Sequence, residues 1–331
     1  MDKIIKILKK RLSKYRYLKI IYKSLTTKGF FYHHIQEYFT NIKVRNFIST
    51  IERKLFNFFY KKNFYVANSD FAKNNSNLLK ERGVTNKFEL NNFNDHKDQI
   101  INYFYNNKIF YDKKPEEKFF LKDKDPSIKI GYYDREITAK CPYIFDIIND
   151  DLVLSTASLY FNSPFKLDYA SVWWSFKNTA EVKEKTQSFH RDLDSFNLLK
   201  FFIYLTDVDE NSGSNQYLMY SHAEKYNQKI SRKTISEKEL DETSKKKIFT
   251  FAGKSGSVIA ANTFGLHRGK TPTSHDRLML VIAFSLIGTF YGPTKPFFNY
   301  GEVITGLQMG WTMAISGELL SSSRHSSSSF E

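Results

Sequence analysis

The chain has 331 residues, 41% of them apolar and 17% aromatic, with a formal charge of +15. That composition suffices for a sizeable core, as one large domain with an extension or as two modest domains. No apolar stretch approaches the roughly eighteen residues of a membrane span. The first residues lack an apolar signal region, and the single cysteine, Cys141, excludes an internal disulfide framework. A reducing, cytoplasmic setting is therefore expected.

Residues 1–24 carry nine Lys/Arg against one acid, Asp2. Ile4, Ile5, Ile7, Leu8, Leu12, Tyr15, Leu18 and Tyr22 fall near helical spacing, so this segment reads as a basic amphipathic helix. Such a helix docks on its own domain with a solvated basic face, or it rests on an anionic membrane surface, placing the protein at the inner face of a membrane. Nucleic acid is disfavoured as a partner, because basic residues interleaved with stacking aromatics on a recognisable module are missing.

Residues 1–66 form a basic, aromatic, helical extension with no proline and one glycine, Gly29. At "VANSDFAKNNSN" the composition turns polar, and the main domain is placed at 67–315. Residues 96–110, "HKDQIINYFYNNKIF", have helical periodicity. "SIKIGYYDREI" reads as a strand and "YIFDIINDDLVLSTASLYF" as helical pieces. From about residue 170 the runs become short and β-branched or aromatic: "YASVWWSF", "LLKFFIYLTDV", "NQYLMY", "KIFTFAG", "SGSVIAAN" and "RLMLVIAFSLIG", separated by turn residues. Short strands without long intervening helices predict an antiparallel sandwich or small barrel such as a jelly roll. The tail 316–331, "SGELLSSSRHSSSSFE", is low-complexity and predicted to be disordered.

The chemistry concentrates in "SFHRDLDSF", residues 188–196. In an extended segment, residues i and i+2 point to the same face, so His190 and Asp192 can converge on one ion. A third ligand must come from a distant strand, and His267, after "SGSVIAANTFGL", is the best candidate. Two histidines and one carboxylate are the donor set of non-haem iron(II) oxygenases, although zinc accepts the same atoms. The bland alternative is a polar turn before a strand. Arg277 heads "RLMLVIAFS" and shares a strand face with Met279, Val281 and Ala283. A guanidinium there is costly unless it meets an anion. Its planar fork suits a carboxylate, either the protein's own or the far end of a bound 2-oxo acid.

The stretch "FHRDLD…LLKFFIYLTDVDENSGSNQYLMYSH…GSVIAANTFGLHRGKTPTSHDRLMLVIAFS" resembles the phytanoyl-CoA dioxygenase (PhyH-like) family of iron(II)/2-oxoglutarate oxygenases. That family orders a His-x-Asp motif, a strand, a "Gly-Ser-His" stretch, a distal His and a later Arg. Here His190 and Asp192, then residues 210–222, then His267 and Arg277 match in that order. The resemblance spans about 170–287, is faint over 84–169 and leaves 1–66 untouched.

The resemblance implies a mainly β fold with flanking helices, a double-stranded β-helix of the distorted jelly-roll, cupin-like type. It implies His190, Asp192 and His267 as iron ligands and Arg277 as the partner of the 2-oxoglutarate far carboxylate. It implies consumption of 2-oxoglutarate and O2 while an unactivated C–H is hydroxylated on a small molecule, lipid or glycan precursor. Related halogenases lack the carboxylate that Asp192 supplies.

The sequence departs from the family in three places. Met219 and Tyr220 replace the Pro and Gly of a "PGSH" stretch. His222 and Asp194 compete as ligands, while His275 reads as a solvent-facing loop residue. No hydroxyl follows Arg277 at i+2, so the hydroxyl that assists the co-substrate comes from elsewhere, such as Thr271 or Thr273, or is missing. Lys200 is either a further cationic contact to the co-substrate or a strand-end lysine with a snorkelling ammonium. Trp173 and Trp174 should face opposite ways. A catalytically silent barrel that binds a small molecule or membrane and a zinc-dependent hydrolase on the same barrel are the competing readings. Nucleic-acid demethylation is suggested by the charge alone.

Overall fold

Among the described residues after 165, the apolar runs become the strands of antiparallel sheets. The computed structural model describes residues 26, 41–60, 69–90, 93–111, 114–178, 188–223 and 235–286. The basic segment 1–24 and the serine-rich tail lie outside the described residues. In chain order the elements are α1 (Ile42–Tyr60), α2 (Asp70–Glu81), β1 (Phe88–Glu89), α3 (Phe93–Tyr105), β2 (Ile109–Tyr111), β3 (Lys114–Phe119) and β4 (Ile130–Tyr133). There follow α4 (Arg135–Lys140), α5 (Ile144–Ile148), α6 (Asp151–Phe161), β5 (Lys166–Ser175), β6 (Leu198–Tyr204) and β7 (Asn215–Leu218). The last are α7 (Glu242–Lys245), β8 (Ile248–Phe251), β9 (Ser257–Ala261), β10 (His267–Gly269) and β11 (Arg277–Ser285).

An eight-stranded sheet has the order β1-β9-β6-β11-β5-β4-β2-β3, and a three-stranded sheet the order β10-β7-β8. The pairings are antiparallel. His190 and His267 exchange backbone hydrogen bonds of 2.9 and 3.0 Å, which adds residues 189–190 to the free edge of β10. Four strands of the large sheet, β9-β6-β11-β5, thus stand opposite four short segments, 190-β10-β7-β8. This interleaving is a double-stranded β-helix, a distorted jelly roll.

The period-two alternation of strands sorts side chains between two cores. Leu278, Leu280, Ile282 and Phe284 of β11 pack outward with Trp174, Phe201 and residues of α2, α3, α5 and α6, such as Leu79, Phe104, Ile148 and Phe161. Met279 and Val281 point inward with Tyr204, Tyr217 and Phe251. Because β11 is buried on both faces, it reads as a continuous apolar run rather than an alternating one. The two tryptophans divide as expected: Trp174 joins the outer core, where its Nε1 donates to the Tyr133 hydroxyl at 2.9 Å, and Trp173 faces the barrel interior.

One segment differs from expectation. Residues 96–110 are not one helix. α3 ends at Tyr105, where the Asn106 side-chain amide takes the Asn102 carbonyl at 2.8 Å, and the chain re-enters the sheet as β2. The polar stretch beside the expected boundary runs into α2, which lies within the 67–315 span. Ser69 caps it by accepting from the Ala72 amide at 3.2 Å, and buried Asn75 and Ser76 bond to Thr156 and the Leu159 carbonyl of α6. Polar residues here mark an internal helix contact, because each finds a partner.

α1 is fastened to the barrel. The buried Arg45 guanidinium donates to the Ser195 carbonyl and lies 4.5 Å from the Phe264 ring centroid, while Asn197 donates to Glu52 at 2.7 Å. No helix of the described residues is long and apolar enough to cross a membrane.

Candidate active site

The bridge between residue 190 and β10 brings His190 and His267 side by side, with ring centroids 4.4 Å apart. The Asp192 amide donates to the Thr263 carbonyl at 2.9 Å, which returns the carboxylate to the same mouth. One ligand atom from each of His190, Asp192 and His267 lies within 4.8 Å of the others. The nearest pairs are His267 Nε2 to Asp192 Oδ2 at 3.4 Å and His190 Nε2 to Asp192 Oδ1 at 4.0 Å. Arg191 leaves the opposite face and donates to the Ser221 and Phe264 carbonyls at 2.6 Å each, so the two loops that flank the site are tied together.

The imidazole tautomers follow from their partners. His190 Nδ1 faces the Ser188 carbonyl at 2.9 Å and His267 Nδ1 faces the Gly265 carbonyl at 3.0 Å. A carbonyl only accepts, so each Nδ1 carries a proton and each Nε2 is left as the atom a metal could take. Burial, and then His267 beside it, push the His190 imidazole down to about 4, which keeps it neutral.

Lys200 changes the electrostatics of this cluster. It is not at a strand end with a solvated head, as a snorkelling lysine would be. It lies within β6, 9% exposed, with Nζ 2.7 Å from Asp192 Oδ2 and 5.5 Å from the Tyr169 ring centroid. Burial alone would raise the Asp192 carboxyl, but Lys200, with the two histidines, outweighs it and holds the group well below the usual carboxylate range. Burial would lower the Lys200 ammonium, and Asp192 more than reverses that.

The cluster opens on a cavity of about 290 Å³ with walls that include Tyr132, Tyr169, Trp173 and Phe202. Arg277 lies in the same wall, 3% exposed. Its Nη1 donates to the Gly213 carbonyl and to Asn215 Oδ1 at 3.0 Å, and its Nη2 to Ser175 Oγ at 2.9 Å. Its Nε is buried without a hydrogen-bond partner. Among the described residues no carboxylate pairs with it. Burial lowers its pKa, opposed by the nearby Tyr204.

Thr271 is half-buried and does not line the cavity, while Thr273 is exposed and bonded to the Asn211 carbonyl at 3.0 Å. The hydroxyl at the guanidinium belongs instead to Ser175, which faces Arg277 across the β5–β11 pairing. Sequence reasoning missed Ser175 and Asn215; their signal is strand register, which no local pattern carries. His222 is buried outside the cavity, with Nε2 3.1 Å from the Lys80 carbonyl, an anchor between the loop and α2. Asp194 does not line the cavity, and His275 is exposed against the Asp207 carbonyl at 3.2 Å. Tyr220, where a "PGSH" stretch has glycine, adopts the left-handed φ of 68°. The departure leaves the glycine-type turn in place, at a conformational cost.

No protein-family model and no curated protein sequence matches the chain. Solved structures with similar folds include the non-heme alpha-ketoglutarate-dependent epimerase SnoN from nogalamycin biosynthesis, at 10% identity and TM-score 0.47, covering 65% of this chain and 82% of that one. HygX from Streptomyces hygroscopicus, with nickel, 2-oxoglutarate and hygromycin B bound, is similar at 14% identity and TM-score 0.45, covering 66% and 86%. EvdO2 from Micromonospora carbonacea var. aurantiaca follows at 12% identity and TM-score 0.44, covering 67% and 92%.

Proposed function

We propose that the chain is an iron(II)- and 2-oxoglutarate-dependent oxygenase that uses O2 to hydroxylate an unactivated C–H bond of a small molecule, a lipid or a glycan precursor. One observation carries the reading: a convergent His-Asp-His set and a buried arginine without a carboxylate partner among the described residues share one cavity. The donor set suits iron(II). His190, Asp192 and His267 would hold the ion; Arg277, with Ser175 and Asn215, would take the far carboxylate of the co-substrate. Iron with 2-oxoglutarate and O2 supplies the oxidising chemistry, and the protein supplies orientation and a dry site. A zinc hydrolase would use the same three ligands but has no role for Arg277.

The chain's own contributions follow from its contacts. The Ser188 and Gly265 carbonyls fix both imidazoles with Nε2 turned to the ion. The tyrosine, tryptophan and phenylalanine walls exclude water from the reacting carbon. A cavity of this size suits a small molecule or one end of a larger one.

The test is an anaerobic titration of purified protein with iron(II) and 2-oxoglutarate, read by the weak visible metal-to-ligand charge-transfer band. The band should appear in the wild type, vanish in His190→Ala and need far more co-substrate in Arg277→Ala. A wild type without a band, with iron unbound or bound indifferently to 2-oxoglutarate, overturns the reading.

A further inference from the structure

Among the described residues, the contacts that fasten α1 to the barrel lie on one side of the helix. On a wheel of about 100° per residue, the buried Ile42, Arg45 and Glu52 fall within an arc of roughly 80°. The exposed Phe47, Ile51, Leu55 and Phe58 fill a separate arc of roughly 80°. Phe58 is 82% and Phe59 69% exposed, which is far beyond the scattered apolar exposure of an ordinary surface helix. Exposed Lys43 and Lys54 border that arc, within roughly 40° of Phe47. The helix has one acid, Glu52, and it is turned inward onto Asn197. The outward face is therefore aromatic and aliphatic with a cationic edge and no anion.

Charge selects the occupant. A second copy of this chain would bring the same lysines to the contact, on a molecule of formal charge +15. The segment 1–24 would bring nine cations against one acid. An anionic bilayer is the apolar surface that complements the cationic edge. We infer that α1 is an interfacial membrane helix that lays Phe47, Ile51, Leu55 and Phe58 into an anionic bilayer, with Lys43 and Lys54 on the headgroups. Its inner side is fastened by Arg45 and Glu52 to residues 195 and 197, a few positions beyond Asp192. Membrane docking thus holds the loop of the candidate site close to the bilayer. The inference is independent of the oxygenase reading.

The experiment is co-sedimentation of the full-length protein with vesicles of phosphatidylcholine alone and with vesicles enriched in phosphatidylserine. Wild type should bind the anionic vesicles and leave the neutral ones. The triple variant Phe47→Ser/Leu55→Ser/Phe58→Ser should bind at least about tenfold more weakly, given the apolar area lost. Lys43→Glu/Lys54→Glu should weaken binding to a similar degree. These side chains are exposed, so wild-type melting temperatures certify that both variants fold. The inference is overturned if wild type binds neither vesicle, or if the triple variant binds as wild type does, which would assign attachment to residues 1–24 alone. It is also overturned if light scattering shows a wild-type dimer that the triple variant dissolves. Loss of the charge-transfer band with vesicle binding intact would count against the oxygenase reading only.

Discussion

Lys200→Met separates two roles for the buried ammonium beside the candidate metal ligands. In the ion-free protein Lys200 is the near counter-ion of Asp192, at 2.7 Å and almost fully buried. Removing one partner of such a pair leaves a buried charge uncompensated and costs about 3–5 kcal/mol. Asp192 can relieve part of this by taking a proton, so the low end, about 3 kcal/mol, is expected. In a domain of this size that is a fall in Tm of roughly 6–12 °C. A divalent ion then supplies the missing positive charge. In wild type an ion held there would share Asp192 with an ammonium; in the variant it would not. Manganese(II) should therefore raise the Tm of Lys200→Met by more than it raises that of wild type, and calorimetry at pH 7.5 should show tighter manganese binding. Lys200→Arg, which keeps the charge, should stay near wild type in both. If Lys200→Met melts like wild type, or if manganese stabilises it less than wild type, the counter-ion argument fails.

Arg277→Gln should leave iron binding in place and raise the 2-oxoglutarate requirement about 30-fold or more, since a buried, charge-assisted fork is lost; the charge-transfer titration reads it. Ser175→Ala should weaken 2-oxoglutarate about fivefold, one hydrogen bond's worth, while Thr271→Ala leaves it unchanged; equal effects would refute the assignment of Ser175. Acid should destabilise the ion-free protein through His190. Its folded pKa of about 4 lies below the ordinary 6.5, so its contribution is complete above pH 6.5 and is lost as pH falls toward 4, up to about 3 kcal/mol. Denaturant melts of wild type and His190→Gln should converge over that window. At the left-handed position 220, Tyr220→Gly should be about 1 kcal/mol more stable than Tyr220→Ala, measured by urea unfolding; the reverse order would mean that the positive φ is not retained in solution.

The local pattern of the chain determined a good deal. Apolar runs broken by turn residues specify strands of one β domain, because short stretches bury both faces only in a packed sheet. The i, i+2 spacing sends the side chains of His190 and Asp192 to one face and Arg191 to the other, and the i, i+2, i+4 series at Arg277, Met279 and Val281 puts a guanidinium on an interior face. Tertiary structure decided what local pattern cannot encode. The bridge to β10 selects His267 over His222, 77 and 32 residues beyond His190. β5–β11 register supplies Ser175 where Thr271 was expected, and β6 turns Lys200 onto Asp192. The polar residues Asn75 and Ser76 are buried in α2 because Thr156 and the Leu159 carbonyl satisfy their amide and hydroxyl. The outward stripe of α1 is defined only after Arg45 and Glu52 have found the barrel. In each case the deciding contact joins residues far apart in sequence, and its free energy exists only when the strands between them have closed.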